Sequence, residues 1–444
     1  MNRYVQYMYS YPHKTAYRSL NGITLSLYAQ YLAGGGHGLY VHIPFCQSKC
    51  GYCNLFSVTG QDRKAVDAYL DAVERQCGQY REVLRDVSPS FSQVVIGGGT
   101  PLYLSEEQLV RVFSLLQSFF CLEEGREVVI ETAPNQTTAE KLNILKGAGV
   151  TRVSMGIQSF SDRELSALGR RHNAWQARMA LELLRSFDFS CVNVDFIYGI
   201  PGQGPADLLA SLEEAVSFVP DEIFLYPLYV KHGAGLELAG VVPDAQGAFA
   251  CYQAGRDFLL EAGYRQDSMR RFVRSGSGSS ERTFVECGFG SSLALGCGGR
   301  SYLGNLHFCS PYALPGRECL ARLAEYEAVS DHTRITHGFL LSDGEQKRRY
   351  LIRHLLIRPG LDRQRYRAVF GTDVTADFSL LEDWEERGYV EQKGGYLTLS
   401  GEGLALSDYL GPQLISPDVE RAMQEWEVSH GRADGFIQGS SQKL

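Results

Sequence analysis

No stretch of this 444-residue chain approaches the roughly 18 uninterrupted apolar residues of a membrane-crossing helix. The Tyr-rich, charged start also lacks the continuous apolar segment of a secretory leader. Excess positive charge is missing too: 51 acidic against 43 basic residues leave a net charge of −8, which argues against general binding to nucleic acid or an anionic membrane. These absences predict a cytoplasmic protein with no membrane span and no nucleic-acid partner. The 11 cysteines are an odd number, and eight are scattered: Cys77, Cys121, Cys191, Cys251, Cys287, Cys297, Cys309 and Cys319. They lack the close C-x2-C pairing of a second cluster or zinc site, so they read as small buried hydrophobes in a reducing compartment.

What is present centres on Leu39-Tyr-Val-His-Ile-Pro-Phe-Cys46-Gln-Ser-Lys-Cys50-Gly-Tyr-Cys53, an apolar strand running into a loop of three cysteines. Three thiols cannot supply the fourth ligand of a closed structural zinc site or a fully ligated iron–sulfur cube, so one metal position stays open. Soft thiolates at this spacing suit a [4Fe–4S] cube with one exchangeable iron. Gly51 allows the loop a tight turn, and Tyr52 is placed to shield the cluster.

At this length, and with 44% hydrophobic residues, a large domain plus a smaller one is expected. Residues 1–38 read as an irregular arm, closed by Gly34-Gly35-Gly36 and expected either to fold over the main domain or to lie on its surface. From residue 39 to 230, short apolar runs alternate with stretches of helical period. The runs are Leu39–Ile43, Val94–Ile96, Val128–Ile130, Val153–Ile157, Val192–Ile197 and Ile223–Leu228. Helices are predicted near 66–86, 105–119, 138–147, 161–186 and 206–218, with a capping box at Ser105. Strand and helix repeated six times imply parallel strands in either an open doubly wound sheet or a barrel short of eight units.

Both architectures place the site at the carboxyl ends of the strands. Polar and glycine-rich residues stand there: Gly97-Gly98-Gly99-Thr100-Pro101 after the second run, Glu131 after the third, Ser154, Gly156, Gln158 and Ser159 in the fourth, Asn193 and Asp195 in the fifth, and Tyr226 in the sixth. Singly, each has a plain structural alternative as a turn, a helix cap or an internal ion pair. Their shared placement, in register with the cysteine loop, favours one site.

The cysteine loop, Gly97–Pro101, Glu131, Arg152-Val-Ser-Met-Gly-Ile-Gln-Ser159, Leu168-Gly-Arg-Arg-His172 and Asn193-Val-Asp-Phe-Ile-Tyr-Gly-Ile-Pro-Gly202 together resemble the radical S-adenosylmethionine enzymes. Within these, the match is to the oxygen-independent coproporphyrinogen III oxidase-like branch, which includes heme chaperones. The resemblance implies an α/β fold, a partial (β/α)6 TIM-type barrel with a C-terminal winged-helix-like domain. It implies that Cys46, Cys50 and Cys53 hold a [4Fe–4S] cluster whose open iron takes S-adenosylmethionine. Tyr40, Gly98, Gly99 and Thr100 would contact that cofactor, with Tyr52 beside the cluster. Glu131 would hold the ribose, and Gln158, Arg170 and Asp195 the remaining polar groups.

The reaction implied is radical: an electron from a flavodoxin- or ferredoxin-type reductant yields a 5′-deoxyadenosyl radical that acts on a tetrapyrrole, as in oxidative decarboxylation of propionates. No residue is assigned to catalysis beyond the cluster. The alternatives are a heme-transfer protein that retains the cluster and a radical methyltransferase acting on heme. Leu55 stands where the decarboxylating oxidases have a further cysteine, and Asn54 where the chaperones usually have an acidic residue.

Beyond the barrel, 231–342 reads as a glycine-rich extension. Within it, Arg274–Glu281 is expected to form a hydrophilic loop. Gly288-x-Gly290 lacks the third glycine of a dinucleotide fingerprint. Arg265, Arg270, Arg271 and Arg274 are expected to face a polycarboxylate substrate, and His307 and Cys309 are weak candidates for a heme iron ligand. Residues 343–415 read as the winged-helix-like domain, with a hairpin at Gly394-Gly395 and a basic Lys347-Arg348-Arg349 offset by acidic neighbours. Residues 416–444 read as a tail, disordered from about 428.

Overall fold

A computed structural model describes residues 3–231, 233–276 and 290–430. Six strands form its centre: β1 (His37–Ile43), β2 (Ser90–Gly98), β3 (Cys121–Thr132), β4 (Arg152–Gln158), β5 (Cys191–Tyr198) and β6 (Glu222–Pro227). All are parallel neighbours in chain order. Because the order never reverses, there is no doubly wound switch point, and the winding is that of a partial TIM-type barrel. Alternation sorts the side chains. Leu39, Val41 and Ile43 are buried in the main core, whereas Tyr40 and His42 take the other face of β1. Each such aliphatic contributes about 1.5–3 kcal/mol on burial.

The sheet runs on past both ends to 13 strands. Ser292–Leu295 pairs parallel to β1, and Arg271–Arg274 pairs antiparallel to β6. The arm contributes Arg18–Thr24, antiparallel to Arg334–Leu340 at one edge.

The connecting helices are α1 (Arg63–Val83), α2 (Glu106–Phe119), α3 (Ala139–Gly147), α4 (Ala174–Arg185) and α5 (Pro205–Ser217). The Ser105 capping box forms with Gln108, and Thr138 caps α3 through the Lys141 amide. The helix expected over 161–186 is two pieces, Asp162–Ala167 and α4. Gly169, at φ 69°, ends the first piece in a left-handed turn, and Asn173 restarts the second with its own capping box. The amphipathic period passes through both pieces and hides the break.

Asp343–Leu355, four shorter helices and the hairpin Val390–Lys393/Tyr396–Leu399 enclose a second core around Trp384, with the hairpin turning at Gly394 and Gly395. Lys347 pairs with Asp377, Arg348 donates to the Leu414 carbonyl, and Arg349 is buried against the Tyr302 ring, so this basic triplet turns inward. The arm joins the second core through Met8, Tyr11 and Ala16 while Tyr4 packs on Tyr198 of β5. It is therefore an internal strap between the barrel and the C-terminal part. Helix Pro417–Ser429, capped by Ser416, occupies what read as the start of the tail and ends only after residue 428. Residues 431–444, most of Arg274–Glu281, Cys287 and Gly288-x-Gly290 apart from Gly290 lie outside the described residues. Among the described residues no helix is long and apolar enough to cross a membrane.

Candidate functional site

The cysteine loop leaves β1 and is pinned at its base by a short parallel pairing of Phe45–Cys46 with Val58–Thr59. Backbone bonds shape it further. Cys53 N–H donates to the Cys50 carbonyl at 3.1 Å, Gly51 N–H to Leu168 at 3.0 Å, and Leu236 N–H to Gly51 at 2.8 Å. Cys46, Cys50 and Cys53 are free thiols on the wall of one cavity of about 1470 Å³. Thr100 Oγ1 lies 3.6 Å from Cys46 Sγ, and Arg170 Nη1 donates to Cys50 Sγ at 3.3 Å. Gly99 leaves room for the first thiol: a Cβ there would stand 2.9 Å from Cys46 Sγ and 2.7 Å from the Phe45 carbonyl. No three His, Cys, Asp or Glu side chains among the described residues converge on a single ion. The donor set itself, three soft thiols on one wall, can give one thiolate to each of three irons of a cube.

The strand ends bring the polar set to the same cavity. Glu131 Oε2 accepts from Gly98 N–H at 3.1 Å, and burial pushes its carboxyl up to about 7 against the pull of that bond, with Asp195 adding to the rise. Asp195 is raised to about 6 by burial, despite the Asn193 amide donating to it at 2.8 Å. Two carboxyl groups near neutrality can accept hydroxyl hydrogen bonds when ionised. Gln158 holds φ 72°, a left-handed conformation costly for a residue with a side chain and characteristic of functional sites. Arg170, in the turn that splits the expected long helix, donates through Nη2 to the Gly156 carbonyl at 2.6 Å. Its buried Nε has no hydrogen-bond partner among the described residues.

Of the nine residues expected at the cofactor, Tyr52, Gly99, Thr100, Glu131, Gln158, Arg170 and Asp195 line the cavity. Gly98 reaches it only through its amide bond to Glu131. Tyr40 stands behind the lining, its hydroxyl 3.2 Å from His42 Nδ1. His42, which the spacing of the motif did not single out, is buried, with burial lowering it to about 4. Its Nε2–H donates to the Phe56 carbonyl at 3.0 Å, so Nδ1 accepts from Tyr40 and the neutral ring ties β1 to the end of the cysteine loop. The arm residues Tyr7, Tyr9, His13 and Lys14 and the helix residue Trp426 also line the cavity. Folding of the arm over the main domain is one of the two expectations for it, but its irregular sequence fixes no role for these residues, and Trp426 comes from the helix Pro417–Ser429, which reads as the start of the tail.

The expected arginine face is overturned. Arg271 pairs with Glu222 at 2.6 Å and Asp267 at 3.2 Å, Arg274 with Asp221 at 2.8 Å, Arg265 with Asp267 at 2.9 Å, and Arg270 with Asp408. They lie on Arg271–Arg274, which pairs with β6 on one side and with the edge strand Tyr264–Gln266 on the other, and in the segment just before it. Glu222, Asp221 and Asp408 reach them across long sequence separation that local pattern does not carry, while Asp267 is a local partner. His307 is fully buried edge-on to Tyr302 at 4.6 Å and does not line the cavity, which removes it as an iron ligand there. Of the scattered cysteines, Cys77, Cys191, Cys251, Cys297 and Cys319 are buried as expected, whereas Cys121 is exposed and Cys309 half-buried.

Comparison with known proteins follows the same lines. Residues 40–215 match the radical SAM superfamily. The chain is 29% identical over 391 residues to the heme chaperone HemW of Mycobacterium tuberculosis, covering 85% of this chain and 94% of that one. It is 28% identical over 251 residues to the oxygen-independent coproporphyrinogen III oxidase of Paracoccus denitrificans, covering 55% of each. The structure of coproporphyrinogen III oxidase HemN from Escherichia coli superposes with a TM-score of 0.79 at 24% identity over 92% of this chain and 96% of that one, a likeness of fold. Residues 40–215 are therefore a radical S-adenosylmethionine domain, whose cofactors are a [4Fe–4S] cluster and S-adenosylmethionine, and the chain as a whole is similar to the heme chaperone and oxygen-independent coproporphyrinogen III oxidase branch.

Proposed function

We propose that this chain is a radical enzyme acting on a tetrapyrrole, with Cys46, Cys50 and Cys53 holding the cluster. The observation that carries the reading is one cavity of about 1470 Å³ with three free thiols and the polar strand ends on its wall. Single-ligand pockets run to about 300–1,000 Å³. This one leaves room for a macrocycle beside the cofactor. When bound, the reduced cluster and S-adenosylmethionine supply a 5′-deoxyadenosyl radical.

The chain's own residues bind, orient and exclude water. Ionised Glu131 would accept the ribose hydroxyls. Gln158 and Asp195 would take the remaining polar groups, and the Gly98–Thr100 turn would let the cofactor approach the backbone. Arg170 would hold the Cys50 thiolate in place while Tyr52 covers it. The arm's tyrosines wall the cavity from water, which protects a reactive intermediate from side reactions. A low-potential flavodoxin- or ferredoxin-type protein would deliver the electron.

A second reading, heme binding and transfer without turnover, is favoured by the names of the heme chaperone relatives. Asn54 and Leu55 depart from both patterns, so the reaction on the tetrapyrrole is a matter for experiment. After anaerobic reconstitution with a strong reductant and S-adenosylmethionine, wild type is expected to form 5′-deoxyadenosine, with formation lost in Cys50→Ala. Coproporphyrinogen III is expected to stimulate it. A loaded cluster giving no deoxyadenosine under any condition, with tight stoichiometric heme binding, would transfer the conclusion to the second reading.

A further inference from the structure

The arginines that the sequence offered for acid recognition are consumed by internal carboxylates, yet the cavity carries positive charge elsewhere. Lys14, which opens the short helix Lys14–Ala16, lines the wall with Nζ 4.0 Å from the centroid of the Tyr312 ring. Among the described residues no carboxylate lies within ion-pair distance of it. Arg300 stands behind it. Its guanidinium bonds the Ser10 hydroxyl and, at 3.3 Å, the Tyr9 hydroxyl, and lies 5.4 Å from the Tyr9 ring, again with no carboxylate partner among the described residues.

Lys14 and Arg300 are half-buried. Among the fully buried arginines, Arg152 and Arg271 are matched on Glu222 and Arg270 on Asp408, whereas buried Lys141 is held by the Leu102 carbonyl. A cation over an aromatic face is attracted without being neutralised. A charge partly withdrawn from water, with no neutralising partner, favours an anion beside it. The surrounding groups register the imbalance. Burial alone would raise the Tyr9 phenol, but Arg300 and Lys14 outweigh it and hold the group below its ordinary value. Burial, Lys14 and Arg300 keep His13 neutral, far below its usual range.

The location is close to the chemistry. Tyr312 donates its hydroxyl to the carbonyl of Asn54 at 3.3 Å, one residue after Cys53. Lys14 on that ring is therefore one aromatic breadth from the cluster loop. Tyr9, His13, Lys14 and Tyr312 all face the same cavity.

We propose that Lys14, backed by Arg300 and framed by Tyr9 and Tyr312, is an anion subsite that seats a carboxylate of the substrate beside the cluster. The lysine ammonium donates charge-assisted hydrogen bonds to the carboxylate, and Arg300 adds its field without contact. The subsite rests on the tetrapyrrole reading for the identity of the acid, but its charge balance does not.

The test uses the reconstituted full-length protein, coproporphyrin III and its tetramethyl ester as probes, and Lys14→Met with Lys14→Arg as the charge-keeping control. Wild type is expected to prefer the free acid. Lys14→Met should weaken the acid by about tenfold or more, with ester binding unchanged and Lys14→Arg within about threefold of wild type. A second arm compares thermal midpoints in succinate and in sodium chloride of equal ionic strength; a bound anion raises the midpoint, and the rise should vanish in Lys14→Met and persist in Lys14→Arg. If coproporphyrin III binds wild type and Lys14→Met equally, or binds no better than its ester, the subsite is refuted and the tetrapyrrole reading survives. If coproporphyrin III does not bind wild type at all, the tetrapyrrole reading falls, and the succinate arm alone upholds or overturns the subsite.

Discussion

Replacing Glu131 by Gln should separate the cost of ionising this carboxylate from its use. Burial raises Glu131 from 4.5 to about 7, which corresponds to roughly 3 kcal/mol in favour of the protonated form at about 1.4 kcal/mol per tenfold change. Between these values the folded protein binds more protons than the unfolded chain, so stability without cofactor falls as pH rises from 4.5 to about 7 and is flat above. Binding of the ribose draws on the ionised form, so affinity for S-adenosylmethionine should rise with pH, by about five- to sixfold between pH 6 and pH 7 and about tenfold from pH 6 to pH 8. A hydrogen bond to a charged group contributes about 1.5–3 kcal/mol, so Glu131→Gln should weaken binding at pH 8 by roughly ten- to a hundredfold. The same variant should raise the thermal midpoint of the cofactor-free protein at pH 8, because it removes a buried charge while its amide oxygen still accepts from Gly98. Asp195, at about 6, contributes a separate lower inflection that Glu131→Gln leaves in place. Anaerobic calorimetry across pH 5.5 to 8.5 measures each quantity. A wild-type affinity that is flat through pH 7, or an inflection near 7 that persists in Glu131→Gln, would refute the assignment.

Two further substitutions test the frame around the site. Gly99→Ala places a Cβ 2.9 Å from Cys46 Sγ and 2.7 Å from the Phe45 carbonyl, so reconstituted iron and sulfide per chain should fall well below wild type while the circular dichroism of the fold stays intact; full loading would show that the turn yields. Asp408→Asn leaves Arg270 buried without its carboxylate, which should cost about 3–5 kcal/mol in urea unfolding. Adding Arg270→Met to it should recover part of that loss, and strict additivity of the two changes would count against a coupled pair.

Most of the frame was legible because its signals are local. Val94–Ile96 is a short apolar run, Val153–Ile157 and Val192–Ile197 alternate apolar and polar residues as a strand with one face on the core does, and the capping box at Ser105 announces a helix start from four residues. The cysteine loop was legible for the same reason: ligand chemistry and spacing sit within eight residues. The helix break at Gly169 was hidden, since Asp162–Ala167 and α4 share an apolar period that does not register the change of direction. Arg270 and Arg271 were misassigned because a guanidinium looks the same in sequence whether it faces substrate or an internal carboxylate.

By itself, then, the sequence determined the strand–helix alternation, the three-thiol loop and the strand-end residues, because hydrophobic period and ligand spacing act over neighbouring residues. Tertiary structure alone decided which charges are matched and what closes the cavity. Asp408 meets Arg270 across 138 residues, and Tyr9, Lys14, Tyr312 and Trp426 share one cavity although they come from the two ends of the chain and the extension between. Such pairings depend on desolvation and distance in the folded state, and neither quantity exists until the chain has closed on itself.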